Sequence, residues 1–241
     1  MAAATSDLNV IGNNIANSST TGFKSSRAEF GDVYATSVLG VSSKAIGAGV
    51  TLSAVTQQFG QGNIDFTSSS LDLAINGDGF FVLSDETGQS FTRSGNFQVN
   101  EEGLVVTSAG AELQAYVADT NGNLTELSGV NVDDSGVVFA RYTNGQSRAL
   151  GQVALAGFNS PTGLQPIGNT SWLETFSSGP ATIGEPGTGG LGVIQSGALE
   201  DSNVELTEEL VDMIIAQRNF QAAAQVIQTA DTITQSIINI R

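Results

Sequence analysis

Ser202 to Arg241 contains neither Gly nor Pro, although the chain holds 29 Gly and 4 Pro in its 241 residues, and every glycine lies before Ala198. A chain rich in turn residues that ends in one uninterrupted tract divides into two kinds of structure. The tract reads as a single long amphipathic helix. Ser202 and Glu205 have the Ser-x-x-Glu spacing of a capping box, in which two side chains satisfy backbone N–H groups that the first turn leaves unpaired. Glu208 and Glu209 follow where negative charge meets the positive end of the helix dipole, and Arg241 sits at the opposite end. From Asn203 to Arg241 an α-helix would run roughly 58 Å at ~1.5 Å per residue, far beyond an average globular helix of ~11–12 residues.

The apolar spacing predicts what such a helix packs against. Leu206, Met213, Ala216, Phe220, Ala223, Ile227, Ala230, Thr234 and Ile237 recur mostly at alternating steps of three and four, the seam of a coiled coil. A second set, Ile215, Ala222, Val226, Ile233 and Ile240, falls largely on another side. A helix that is apolar on more than one side is covered from more than one direction. One partner is visible at the other end of the chain, where Ala4, Leu8, Ile11 and Ile15 form a one-sided seam that stops at Asn17-Ser18-Ser19-Thr20-Thr21-Gly22. Gly12 and the neighbouring asparagines make this segment a poor helix alone, so both termini are expected to order only on docking. The packing candidates are therefore Leu8, Ile11, Ile15, Leu206, Met213, Phe220, Val226, Ile227, Ile233 and Ile237, with further helices supplied by other copies.

Composition removes several functions. The net charge of −16 disfavours phosphate backbones and anionic membrane surfaces, so neither nucleic acid nor membrane insertion is expected. No apolar run approaches the ~20 residues of a membrane span, and Met1 to Asn17 lacks the basic and apolar regions of a cleavable signal. With no Cys and no His there is no thiolate nucleophile, no Cys/His zinc site and no imidazole for proton transfer near neutral pH. No cofactor or metal is expected.

Between about Leu71 and Ile194 short apolar runs alternate with glycine turns, the pattern of an all-β domain. Leu71 to Ile75 alternates; Gly77-Asp78-Gly79 leads into Phe80-Phe81-Val82-Leu83; Asn144-Gly145 stands between Val137–Tyr142 and Leu150–Phe158 as a hairpin turn. Earlier, Arg27 to Val38 is expected to form a short helix with Phe30, Val33 and Tyr34 on one side, and Val50 to Val55 a strand. The division expected is 1–22 as N-terminal helix segment, 23–70 as extended connector, 71–194 as all-β domain and 195–241 as C-terminal connector and long helix.

No candidate chemistry survives scrutiny. Asp119 to Asn123 lacks the Gly and Glu positions of a calcium loop and reads as a hairpin tip. Gly184 to Gly192 lacks the Gly-Lys-Ser/Thr of a phosphate loop and reads as a linker. Asp133-Asp134 beside Ser135-Gly136 reads as a solvated turn, and Trp172 as a core or interface anchor.

Several of these segments carry a family likeness. Leu8-Asn9-Val10-Ile11-Gly12-Asn13-Asn14-Ile15-Ala16-Asn17 with Thr21-Gly22-Phe23-Lys24 resembles the N-terminal motif of bacterial flagellar rod and hook proteins. Gln61-Gly62-Asn63-Ile64, the stretch Leu71 to Phe81, and Thr92-Arg93-Ser94-Gly95-Asn96-Phe97 are similar to the start of that family's β domain. Gln195 to Glu200, Ser202-Asn203-Val204, Glu208 to Ile214 and Ala216-Gln217-Arg218-Asn219-Phe220 complete the resemblance in the family's order. Within the family, Ala28 to Tyr34, the short connector to Gly47, Arg141 to Gln146 and Leu150 to Ala156 are most similar to hook subunits. Hook subunits usually begin several residues earlier and carry an inserted outer domain, whereas here Leu124 to Val132 runs straight from one half of the β domain to the other.

The resemblance implies a structural, non-enzymatic subunit with terminal coiled-coil helices lining a hollow helical tube and the β domain outside. It further implies self-association, contact with rod, hook-cap and hook–filament junction proteins, and delivery by the flagellar export apparatus without a cleavable signal. The expected function is a hook subunit that passes torque from rod to filament. A rod subunit is the alternative within the family, and an adhesin-like β domain on a coiled-coil stalk the alternative outside it.

Overall fold

The computed structural model describes residues 1–33, 47, 49–85, 88–100, 103–117, 127–142 and 146–239. The chain is mainly β, with one helix toward each end. It divides into two compact units: Met1–Ser18, Ser25–Gln58 and Val204–Arg241 form the first, and Ser19–Lys24 with Phe59–Asn203 the second.

The first unit contains α1 (Ala2–Ala16), an antiparallel ribbon of β1 (Ser26–Val33) and β2 (Gly49–Gln57), and α2 (Leu206–Asn239). α1 buries Ile11 and Asn14, one turn apart, and partly buries Leu8 and Ile15. α2 is 34 residues long, about 51 Å of helix, and buries Ala216. Met213, Phe220 and Ala223 of the expected seam are half-buried around it, together with Glu209 and Ala224, which the seam did not include, while Leu206 is exposed.

Two expectations fail in this unit. Residues 27–33 form strand β1, not the start of a helix; the structure does not describe 34–38. Gly31 costs a helix about 1 kcal/mol relative to Ala, and alternation places Ala28, Phe30 and Asp32 on one face of the ribbon. α2 begins at Leu206 rather than at Asn203. Tertiary hydrogen bonds hold the preceding residues extended: Asp201 N donates to Asn63 O at 2.8 Å, and Asn203 Nδ2 donates to Gly60 O at 3.0 Å. Each of these bonds takes a backbone or amide group out of water without leaving it unpaired, and so holds the segment out of the helix.

The second unit is built of short strands. Its largest sheet runs β15 (Gln165–Gly168), β16 (Ser171–Leu173), β6 (Gly88–Thr92), β5 (Phe80–Asp85), β9 (Glu112–Leu113), β8 (Val105–Thr107) and β7 (Phe97–Val99); β14 (Leu155–Gly157) pairs with β5 and with β17 (Thr182–Gly184). A four-stranded sheet orders β10 (Ala115–Val117), β13 (Ser147–Val153), β12 (Val137–Tyr142) and β11 (Leu127–Val132). Two small pairs join β18 (Val193–Ser196) to β4 (Leu73–Asn76), and β19 (Ala198–Glu200) to β3 (Ile64–Phe66). Strand β12 coincides with the expected run, while the Asn144-Gly145 turn lies outside the described residues.

β5 explains the apolar run that sequence shows. Phe81 and Leu83 enter a core with Leu73, Ile75, Phe97, Val132, Val153, Leu155 and Ile194. Phe80 and Val82 point to the opposite face, into a core with Phe91, Ala156, Leu164 and Trp172. A strand buried on both faces has no polar alternation to display. Rings meet edge-on in both cores, Phe81 on Phe97 at 5.3 Å and Phe80 on Trp172 at 5.7 Å, the geometry that aromatic quadrupoles favour. Replacing Phe81, fully buried, by Ala should cost about 3–5 kcal/mol, whereas Phe176→Ala, at a fully exposed turn, should stay within about 0.5 kcal/mol. Urea unfolding followed by the fluorescence of Trp172 measures both.

Candidate functional site

Three features of the described residues bear on function: a helix pair, an apolar ribbon face and a buried ionic node. The helix pair is set by Asn14. Its Nδ2 donates to Ser26 O at 2.8 Å and to Glu209 Oε1 at 2.7 Å, while Ser26 N donates to its Oδ1 at 2.9 Å. One amide thus stands in for a missing strand partner of β1 and fixes α1 against α2. The sequence reading placed no role on Asn14; its signal is a polar residue three after Ile11 on the buried side of the helix.

Beyond this pairing α2 has apolar side chains and no cover. From Gln225 to Asn239 every residue is exposed. Of the packing candidates, Ile11 is buried, and Leu8, Ile15, Met213 and Phe220 are half-buried in the first unit. Leu206, Val226, Ile227, Ile233 and Ile237 are exposed, Val226 by 68%. The structure therefore brings the α1 seam and the first half of the α2 seam into one unit, and leaves the second half exposed.

The ribbon is amphipathic. Phe30 pairs with Leu52 and Asp32 with Val50, so Phe30, Leu52 and Val50 share a face, and all three are exposed. Thr56 Oγ1 donates to Glu29 Oε1 at 2.6 Å, and Arg27 lies 3.9 Å from the same carboxylate. A two-stranded ribbon is marginal in water, so its apolar face adds to the uncovered surface of this unit.

The second unit holds the node. Glu200, with no exposed surface, receives Lys24 Nζ on Oε1 and Arg93 Nη1 on Oε2, the latter at 3.0 Å. Gly62 N also donates to Oε1, at 3.0 Å. The excess positive charge is turned toward carbonyls: Lys24 Nζ donates to Gly60 O at 2.8 Å, and Arg93 Nη2 to Gly77 O at 2.8 Å. The Arg93 guanidinium also lies 5.5 Å from the Phe80 ring centre, a cation–π contact. Burial pulls the Lys24 pKa below its ordinary value, and the facing Glu200 carboxylate only partly restores it.

Backbone contacts seat the same segments. Gly22 N donates to Glu200 O at 2.7 Å, and Gly22 has a φ of +68° with Ser94 N only 2.5 Å from where a Cβ would stand. Only glycine meets both requirements. Lys24, Gly62, Arg93 and Glu200 all belong to the segments that carry the family likeness, but sequence alone gave them no common place. The one hint was scarcity, since Lys24 and Arg93 are two of only 8 Lys or Arg residues in the chain.

The remaining candidates are structural. Asp133 Oδ1 accepts from Ser135 N, Ser135 Oγ and Val137 N at 2.7 to 3.0 Å. Burial raises its pKa, but these hydrogen bonds outweigh burial and hold it low, as a turn-forming aspartate requires. Trp172 is a core residue. Asp119 to Asn123 lies outside the described residues. Among the described residues, no helix is long and apolar enough to cross a membrane.

The described residues thus present a buried ionic node within the β domain and helices that leave apolar side chains exposed. The comparisons place the chain. Residues 1–24 match the flagella basal body rod protein family, 74–140 the D1 domain of the flagellar hook protein FlgE/F/G family, and 195–240 the C-terminal region of the flagellar basal body rod FlgEFG proteins. The chain is 36% identical to the flagellar basal-body rod protein FlgG of Bacillus subtilis, over 97% of this chain and 93% of that one. It is 35% identical to FlgG of Caulobacter vibrioides, over 100% and 96%. With the flagellar hook protein FlgE of Escherichia coli it shares 27% identity over 99% and 97%, in an alignment of 398 positions against 249 for the Bacillus protein. The chain belongs to the flagellar basal-body rod and hook family, and is a structural subunit of the flagellar axial assembly.

The node yields a prediction. Glu200→Ala leaves two buried cations without their carboxylate and should cost about 3–5 kcal/mol. Replacing all three charges together (Lys24→Met, Glu200→Leu, Arg93→Met) should cost markedly less, because no charge is then left unpaired. Urea midpoints of the two variants decide it.

Proposed function

We propose that this chain is a rod-type axial subunit that polymerises into a helical tube through its terminal helices. The observation that carries polymerisation is the second half of α2, where Val226, Ile227, Ile233, Ile237 and Ile238 are all at least 48% exposed. Full burial of an aliphatic side chain is worth about 1.5–3 kcal/mol, so a surface of this kind favours a partner over water. Neighbouring copies meet that need, with the terminal seams ordering as they dock and packing as coiled-coil helices along a central channel. Contacts with other axial proteins and passage through the flagellar export apparatus follow from the same reading.

Rod rather than hook is supported by length. The FlgG relatives align end to end with no large insertion, whereas the hook relative needs about 150 more positions than this chain has residues. The hook reading keeps its support from the short stretch between Tyr34 and Gly47 and from Arg141 to Gln146, which are similar to hook subunits. Electron microscopy of the purified chain added to rod or hook fragments separates the two: a rod subunit extends straight segments, a hook subunit curved ones.

Phe220→Asp and Ile227→Asp should each abolish incorporation while leaving Trp172 fluorescence and its urea midpoint unchanged, since both side chains lie on α2 and Trp172 lies in the β core. Normal polymers from either variant contradict the proposal.

A further inference from the structure

Between Arg148 and Glu200 the chain carries only two charged residues, Glu174 and Glu185, although its net charge is −16. Copies of so acidic a chain repel one another except where their surfaces are neutral, and the centres of protein interfaces are depleted of charge. The segment lies within the second unit and carries a knob and most of the wall of a cleft.

The knob is Phe176, which is fully exposed on a turn tied down by hydrogen bonds. Thr175 N donates to Ser178 Oγ at 2.9 Å, Ser177 N to Thr175 Oγ1 at 3.1 Å, and Thr175 Oγ1 to Gly163 O at 2.6 Å. Ser178 has no exposed surface, and its Oγ donates to Thr175 O at 2.9 Å. The Glu174 carboxylate is turned to its own backbone, with Oε2 accepting from Ala181 N at 3.1 Å. An aromatic side chain that a preorganised turn holds in water loses little freedom when a partner covers it.

The cleft has a volume of about 700 Å³ and an aromatic floor. Phe80 is met edge-on by Phe59 at 5.6 Å and by Phe158 at 5.7 Å between ring centres, and Ile183 and Leu191 also line the space. At the rim a Cβ on Gly189 or Gly190 would meet nothing within 4 Å, so another chain can approach the backbone closely. Two charges border the cleft: Asp78, which is exposed, and Arg93, which Glu200 neutralises. An acidic occupant would face Asp78, whereas an uncharged ring meets other rings in the edge-on geometry they favour.

We propose that Phe176 of one copy enters this cleft on another, forming a contact between β domains. Knob and cleft are different residues of one chain, so the contact can repeat from copy to copy, as an open helical assembly requires. It rests on the polymer reading above and adds to it a contact that α2 does not make.

Replacing Phe176 by the photoreactive p-benzoylphenylalanine keeps an aromatic knob and marks whatever lies against it. Polymers grown from this variant mixed with heavy-isotope-labelled native copies are illuminated, digested and read by mass spectrometry. Position 176 should be joined to residues 157–161 or 182–191 of a labelled copy. Phe176→Asp should raise the concentration needed for assembly at least about tenfold, and Phe176→Leu far less. Links to other residues, or an unchanged assembly concentration for Phe176→Asp, overturn this contact and leave the α2 polymer standing. If the native chain forms no polymer, the α2 reading falls by itself. Illumination of the free chain at about 1 mM then decides the contact: dimers joined at the cleft support it, and their absence overturns it.

Discussion

A single buried carboxylate organises the β domain. Glu200 sits near the end of a long run of strands, while Lys24 and Arg93 reach it from segments 176 and 107 residues away in sequence. A carboxylate taken out of water costs several kcal/mol unless it is paired and hydrogen-bonded, so this one folds only when all its partners are present. The arrangement therefore acts less as a source of net stability than as a condition on geometry. The stretch that follows α1 and the stretch that precedes α2 are joined to each other here, by Gly22 N on Glu200 O and by Asn203 N on Phe23 O, and Arg93 on Glu200 ties them to the strands.

The first unit obeys the opposite rule. Among its described residues Asn14 is the buried polar hub, and most of the apolar surface of α2 is exposed. The second unit builds its own interior: aromatic rings fill both faces of β5, and the Lys24–Glu200–Arg93 ion pairs join distant chain segments. In the proposed polymer, one part of the subunit holds its own core and the other leaves apolar surface for neighbours.

Much of this was legible from residue order. The α2 seam, the α1 seam and the strand at Val137–Tyr142 follow from periodicity, because one face of each element sets its spacing. The Phe80 to Leu83 run signals a strand buried on both sides, although periodicity alone does not separate that from a buried helix. What could not be read depends on partners distant in sequence. β1 is a strand because β2 supplies its ladder, and α2 starts late because Asn63 and Gly60 capture Asp201 and Asn203. The ionic node was visible only as conserved-looking fragments of a family pattern, since nothing local tells Lys24 that Glu200 faces it. Asn14 was counted against its helix, when it is the residue that ties the helix down.

The central claim is that residues 225–239 of α2 are one half of an interface that other copies complete. Amide hydrogen exchange, read by mass spectrometry on the free chain and on the assembled polymer, tests it most directly. The account predicts rapid exchange over this stretch in the free chain and strong protection after assembly, while β5 stays protected in both. Protection of 225–239 in the free chain, or rapid exchange there in the polymer, would contradict it.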